Sequence, residues 1–149
     1  MMPSRGVPRG AIRHPETYRQ MFDFSGLQFE RKITPMDIDF CLEFSGRQLV
    51  LGEFKGPGGK IRRGQRKALT TLAIAAHRGG MDVLAFIARH DSAPDEVVKA
   101  HLAQVVEVLS PDFHPFWRKP SGGDRRVREL IDSWRVWRQH DYGLLQKFE

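Results

Sequence analysis

The chain has 149 residues, a formal net charge of +6 at pH 7 and a sequence pI near 9.9, because 24 Lys and Arg outnumber 18 Asp and Glu. This length predicts one domain with a proper hydrophobic core, and the basic excess is typical of a protein with a polyanionic partner. The sequence has no apolar stretch near the roughly 20 residues of a membrane span and no apolar core of a secretory signal, so we expect no membrane partner and a cytoplasmic location.

The two ends of the chain have the composition of tails. Residues 1–14 are rich in Pro, Gly and Arg, which predicts a flexible basic N-terminal tail. Residues 140–149 are predicted to form a polar C-terminal tail. Between them we predict a single domain over residues 15–139, which begins with a short helix after His14.

A β-hairpin is predicted between Asp37 and Lys55. Apolar and polar residues alternate from Asp37 to Phe44, a second run extends from Gln48 to Lys55, and Ser45-Gly46-Arg47 between them suits a three-residue turn. A turn of this length determines which residues of the two strands face each other. The predicted pairs are Phe44 with Gln48, Asp39 with Glu53, and Asp37 with Lys55.

This register places acidic side chains against each other on one face of the hairpin. Carboxylates at Asp39 and Glu53, with Cβ atoms about 4.5–5.5 Å apart, repel unless a cation lies between them, and Mg²⁺ prefers carboxylate oxygens. Lys55 points to the same face, where it is suited to contact a phosphate or a nucleophilic water. The set therefore predicts metal-assisted phosphodiester hydrolysis, and the alternative is an ordinary solvated strand face.

Apolar neighbours on the same face bear on that choice. Leu49, Leu51 and Cys41 share the face with the acids, so we expect it to be partly covered, and covered acids need a partner. Cys41 is the only cysteine, which excludes an internal disulfide, and its place in a strand predicts a core thiol.

A helix is predicted from Gly64 or Gln65 to Ala76, ended by Gly79-Gly80. Its predicted buried face comprises Ala68, Leu69, Leu72, Ala73 and Ala76. The flexible loop before it and its first turn carry a basic cluster, which we predict to contact nucleic-acid phosphates near the acidic site. The members of this cluster are Lys60, Arg62, Arg63, Arg66 and Lys67.

The second half of the chain predicts further strands and a last helix. Met81 to Arg89 is a continuous apolar run, as expected of a buried central strand, and His101 to Leu109 reads as another strand. Phe113 to Trp117 is predicted to be an aromatic loop, and Asp124 to Gln139 an amphipathic helix. Its polar face would extend the positive surface with Arg125, Arg126, Arg128, Arg135 and Arg138. The whole predicts an α/β fold, a mixed central β-sheet with flanking helices.

The ordered motifs resemble the PD-(D/E)XK nuclease superfamily. Pro35-Met36-Asp37-Ile38-Asp39, then Glu53-Phe54-Lys55, then Gly64-Gln65 opening a helix are similar to the TP-x-DID strand, E-x-K strand and GQR-x-AL helix of small phage and prophage nucleases. The resemblance covers about residues 24–137 and is strongest over 33–72. It implies a restriction-endonuclease-like core, in which Asp39, Glu53, Lys55 and Gln65 are catalytic.

The metal ligands implied for Mg²⁺ or Mn²⁺ are Asp39, Glu53 and the backbone carbonyl of Phe54. This chain departs from the family pattern in carrying a second acid, Asp37, two residues earlier on the same face. Either aspartate is a candidate ligand, and Asp39 is favoured because it lies opposite Glu53.

The function expected from these features is a divalent-metal-dependent nuclease acting on DNA, most simply an endonuclease. The alternatives are a non-catalytic nucleic-acid-binding module on the same fold and a structural phage protein. Because a small nuclease often needs two copies to cut both strands, a homodimer is a further hypothesis. If a phage encodes the chain, the location is the host cytoplasm.

Overall fold

The structure is a computed structural model that describes residues 10–11, 25–33, 35–111, 114–120 and 125–146. The chain divides into two compact units, Met1–Asp37 and Ile38–Glu149. The helix predicted after His14 lies outside the described residues, as does almost all of the predicted N-terminal tail. Within the first unit, the described residues form two short 3-10 turns, Ser25–Leu27 and Glu30–Lys32.

The predicted hairpin is present and its register is confirmed at the turn. Strands β1 (Phe40–Phe44) and β2 (Gln48–Lys55) are antiparallel, and Phe44 pairs with Gln48. The turn needs left-handed backbone at Ser45 (φ 53°) and Gly46 (φ 71°), and glycine adopts this conformation without strain. β1 begins at Phe40 rather than Asp37, so the ladder ends at the pair Phe40–Gly52, one step short of Asp39.

The second unit is built on a mixed sheet, which confirms the predicted α/β class. Helix α1 (Arg63–Arg78) connects β2 to β3 (Asp82–Arg89), and these two strands are parallel. β4 (Gln104–Ser110) is antiparallel to β3, and both β5 (His114–Arg118) and β6 (Arg125–Arg126) pair with β4. Among the described residues the sheet has six strands, in the order β1-β2-β3-β4-β5 with β6 beside β4.

A helix covers each face of this sheet. Because side chains alternate along a strand, neighbouring residues of β3 enter different cores. On the first face, α1 packs against a cluster formed by Leu51, Leu69, Ala73, Val83, Ala85 and Leu109. On the second face, helix α2 (Val127–Gln146) packs against a cluster that includes Val50, Leu84, Phe86, Val105, Leu130 and Trp134. Burial from both sides explains why β3 is apolar from Val83 to Ala88, between a charged residue at each end.

Cys41 is exposed, so the prediction of a core thiol is wrong. β1 lies at the edge of the described sheet, and its apolar residues Phe40, Leu42 and Phe44 face the second cluster. Cys41 points to the opposite face, and the α1 contacts there fall on β2, β3 and β4. Alternation placed Cys41 on the correct face, but the edge position leaves that part of the face uncovered.

Two predicted boundaries also differ. The segment predicted as an aromatic loop forms strand β5 because it pairs with β4, although Phe113 itself lies outside the described residues. Arg125 and Arg126 form β6 and pair with Val105 and Gln104 of β4. Helix α2 therefore begins at Val127 rather than at residue 124. The helix then extends to Gln146, past the predicted start of the C-terminal tail.

The predicted faces of the helices are correct only in part. Leu72 was expected in the buried stripe of α1 but is 43% exposed, because Leu69 and Ala73 make the contact with the sheet. Arg138 was expected on the positive surface of α2 but is buried, where it forms an ion pair with Asp82 (3.3 Å). Arg135 lies over the ring of Phe44, 3.9 Å from its centroid.

The buried Arg138–Asp82 pair gives a stability prediction. Asp82→Ala should lower the free energy of unfolding by about 3–5 kcal/mol, since it leaves the guanidinium buried without its counterion. The measurement is the urea unfolding midpoint. As a matched control, Asp132→Ala breaks the exposed Arg128–Asp132 pair of the same helix and should leave the midpoint nearly unchanged. Equal shifts for the two variants would contradict the prediction.

Within the described part of the chain, none of the helices combines the length and the apolar character needed to cross a bilayer.

Candidate active site

The predicted site residues of β2 lie where this strand passes the first turn of α1. Leu51, Glu53 and Lys55 share the face that α1 covers, and Glu53 is only 3% exposed. In the strand register Glu53 lies beside Ile87 of β3, which lies beside Glu107 of β4. The same face of the sheet therefore carries two glutamates with one apolar residue between them.

Glu53, Lys55 and Gln65 form a closed hydrogen-bonded network. The carboxylate oxygen Oε1 of Glu53 accepts hydrogen bonds from Lys55 Nζ (2.9 Å) and from Gln65 Nε2 (2.8 Å). Lys55 Nζ also donates to Gln65 Oε1 (2.9 Å). Three residues that the sequence singled out from two separate segments are thus in direct contact. We call this set the Glu53–Lys55–Gln65 network.

Gln65 reaches the network because of where α1 begins. The helix starts at Arg63, so Gln65 lies in its first turn, where backbone N–H groups have no partner within the helix. Gln65 Oε1 accepts the backbone N–H of Arg62 (3.3 Å) and Lys55 Nζ at the same time. The side chain therefore caps the helix and joins it to the end of β2.

Asp39 meets β2 through its side chain rather than through a backbone pair. Its Oδ2 accepts the N–H of Phe54 at 2.9 Å, and Phe54 is the residue between Glu53 and Lys55. The predicted pairs of Asp39 with Glu53 and of Asp37 with Lys55 are absent from the strand ladder because β1 begins at Phe40. Asp39 is nevertheless anchored beside the network, although its side chain is exposed.

The donor atoms fit a hard divalent cation only in part. Two carboxylates, on Asp39 and Glu53, and the peptide oxygen of Phe54 are of the type that Mg²⁺ and Mn²⁺ prefer. The described residues, however, contain no group of three or more His, Cys, Asp or Glu that could hold a metal ion. Asp37, the other predicted ligand, is exposed and is the last residue of the first compact unit. A metal at this site therefore stays a prediction.

Four of the five residues predicted to bind nucleic acid are exposed, whereas the fifth, Arg66, is engaged in an ion pair. Lys60, Arg62, Arg63 and Lys67 are exposed around the start of α1. Arg66 instead forms a two-point ion pair with Glu107, with Nη1–Oε1 at 3.0 Å and Nη2–Oε2 at 2.6 Å. Its guanidinium also lies over the ring of Trp117, 5.4 Å from the centroid.

A groove of about 890 Å³, which the sequence did not reveal, opens where β2 and β3 end. Arg89 lines it and pairs with Lys55 in the register of these parallel strands. Its other basic lining residues are Lys99, Arg125 and Arg126, and its acidic ones are Asp91, Glu96 and Glu129. Within the described part of the chain none of the four basic residues is ion-paired with an acid.

A sequence signal for this groove did exist. Arg89 is the last residue of the apolar run that predicts β3, and parallel strands bring their carboxyl ends to the same edge of a sheet. Arg89 could therefore have been placed beside the E-x-K strand. The position of Arg126 depends on long-range pairing with Gln104 of β4 and carries no local signal.

Comparison of the chain with protein-family models, with curated proteins and with solved structures finds no match. The functional argument therefore rests on the motifs of the sequence and on the contacts of the described residues.

Proposed function

We propose that the protein is a divalent-metal-dependent nuclease that hydrolyses phosphodiester bonds in DNA. The observation that carries the proposal is the Glu53–Lys55–Gln65 network beside Asp39. Its carboxylate and ammonium are both largely covered, with side chains 5% exposed for Glu53 and 17% for Lys55. Burying such a pair is expensive and often brings no net stability. Unlike the buried Arg138–Asp82 pair, this pair lies beside a further carboxylate, that of Asp39, and we therefore assign it a chemical role.

In this proposal Asp39, Glu53 and the Phe54 carbonyl would hold the cation. A bound divalent ion supplies a water of lowered pKa and neutralises charge on the phosphate. Lys55 Nζ lies against the Glu53 carboxylate, from where it can donate to a phosphate oxygen or orient the attacking water. Gln65 holds both side chains in place through its amide. No Ser or His nucleophile is required by this chemistry.

The surroundings of the network are suited to a polyanionic substrate. Lys60, Arg62, Arg63 and Lys67 are exposed near the start of α1. Arg89 is the strand neighbour of Lys55 and lines the groove at the end of β2 and β3, although Lys55 itself does not line that groove. Basic side chains at these places would contact backbone phosphates and fix the strand without reading its sequence. A restriction-endonuclease-like core, a homodimer and a cytoplasmic location belong to the same proposal.

One observation favours a second candidate, a non-catalytic nucleic-acid-binding module. In the described residues the Glu53 carboxylate is already neutralised by Lys55, and no three-ligand metal group is present. A module of this kind would keep the basic surface and use the network only to fix the start of α1. A structural phage protein remains a third alternative, but it leaves the network without a role.

Metal dependence tests the nuclease proposal. The purified protein is expected to nick supercoiled plasmid with Mg²⁺ or Mn²⁺ but not with EDTA. The ion should also stabilise the fold, by about 2.7 kcal/mol when its free concentration is 100 times its Kd, which is measurable as a rise in melting temperature. Glu53→Gln should abolish both effects. DNA binding with steep salt dependence, but with neither nicking nor stabilisation by metal, would favour the binding module.

A further inference from the structure

The first turn of α1 carries basic side chains where a helix favours acidic ones. A helix N-terminus carries partial positive charge and is stabilised by acidic residues, yet this first turn contains none. Its cap and first residues instead include Arg62, Arg63 and Arg66, with Lys67 following. Negative charge reaches this turn only from the sheet, in the described residues from Glu53 and Glu107.

Consecutive residues of the helix contact these two glutamates. Gln65 donates to Glu53 and Arg66 donates to Glu107, and the two acids lie on the same sheet face with Ile87 between them. Two strand spacings separate them, about 9.5 Å. The helix start is therefore attached to the sheet at two points, one of which belongs to the proposed active site.

Arg66 is held at both its side chain and its backbone. The guanidinium is fixed by Glu107 through two hydrogen bonds and stacks over Trp117. Trp117 Nε1 donates to Thr70 Oγ1 (2.8 Å), and the same hydroxyl donates to the carbonyl of Arg66 (2.7 Å). Trp117 thus contacts Arg66 directly and also through Thr70, which limits the ways in which the turn can move.

We propose that Arg66 and Glu107 are positioning residues. Their ion pair fixes the first turn of α1 on the sheet, so that Gln65 keeps its hydrogen bonds to Glu53 and Lys55. The catalytic consequence rests on the proposed nuclease function, whereas the effect on Gln65 does not. Arg66 in this role is not a free phosphate ligand, because its guanidinium is already engaged. Without the Arg66–Glu107 ion pair, the distance from Gln65 to β2 would no longer be fixed. Misplacement of a catalytic group by about 1 Å can lower the rate of a reaction about 100-fold.

The test is Glu107→Gln, which keeps the shape of the side chain and removes its charge. We expect kcat for plasmid nicking to fall about 10- to 100-fold, with KM and the salt dependence of DNA binding unchanged within about twofold. The side-chain amide signal of Gln65 in a ¹H–¹⁵N NMR spectrum, assigned with a Gln65→Leu variant, should shift or broaden. Asp132→Asn, which breaks the exposed Arg128–Asp132 pair, is the matched control and should change neither readout.

Rescue separates positioning from general stability. The double variant Arg66→Glu with Glu107→Arg restores opposite charges at the two positions and should recover part of kcat and of the Gln65 signal. The inference is overturned if Glu107→Gln leaves both readouts at their wild-type values. It is equally overturned if Glu107→Gln tightens DNA binding and steepens its salt dependence, since Arg66 would then be a phosphate ligand. Should the wild-type protein fail to cut DNA, the Gln65 signal alone still decides the inference.

Discussion

Lys55→Ala is expected to lower metal-dependent DNA cleavage by about 100-fold or more. Lys55 Nζ donates to both Glu53 and Gln65, so its positive charge is in direct contact with one of the proposed metal ligands. Loss of one preorganised donor to a developing anion typically lowers kcat by about 10²- to 10³-fold. The measurement is the nicking rate of supercoiled plasmid at saturating Mg²⁺ or Mn²⁺.

The same variant distinguishes chemistry from metal binding. Removal of the ammonium lowers the local positive charge, so stabilisation by the divalent ion should persist or increase in Lys55→Ala. Lys60→Ala is the matched control, because Lys60 is exposed in the loop before α1 and should affect only the affinity for DNA. If Lys55→Ala nicks plasmid at the wild-type rate, Lys55 has no part in the mechanism. Loss of nicking together with loss of the folded circular dichroism spectrum would indicate a structural role instead.

Gly52→Ala is expected to destabilise the fold by about 3 kcal/mol or more. A Cβ at this position would lie 2.6 Å from Cε2 and 2.8 Å from Cε1 of Phe86, and closer still to Cζ. Phe86 is completely buried and packs edge-on or tilted against Phe40 and Phe54, so its ring has no space into which it can move. Overpacking of a tight core costs about 1–3 kcal/mol and sometimes more. Urea unfolding followed by circular dichroism measures the loss.

Two further variants isolate the steric cause. Phe86→Leu combined with Gly52→Ala removes ring atoms from the clash and should be more stable than Gly52→Ala alone. Gly46→Ala tests backbone strain without a clash, because nothing lies within 4 Å of a Cβ at this position. The only cost is that alanine must adopt a positive φ, which should lower the free energy of unfolding by roughly 1 kcal/mol. If Gly46→Ala were as damaging as Gly52→Ala, the close approach of Phe86 would not be the reason.

The parts of the fold that the sequence predicted well are those determined by local pattern. Alternation and turn length gave the register of the hairpin at Phe44 and Gln48, and they placed Glu53 and Lys55 on one face. The helix from Arg63 to Arg78 follows from its apolar spacing and its glycine end. The contact of Gln65 with both β2 residues needs only that α1 start directly after the loop, which places Gln65 in the first turn of the helix.

The features that the sequence did not predict depend on distant partners. Arg66 and Glu107 are 41 positions apart, and no residue close to Arg66 in the sequence indicates that its guanidinium forms an ion pair. The burial of Arg138 in α2 depends on Asp82, which is on strand β3, 56 positions earlier in the sequence. Cys41 was misjudged because its exposure depends on which strand ends the sheet, a property of topology rather than of pattern.

The exposure of Cys41 makes the protein a convenient subject for spectroscopy. It is the only thiol of the chain, so a maleimide dye or a nitroxide would label one site without mutagenesis. The label would lie in β1 two residues from Asp39, on the face of the strand that α1 leaves uncovered. Energy transfer to a dye on an oligonucleotide would then report where the strand lies relative to the Glu53–Lys55–Gln65 network, under conditions in which no bond is cut.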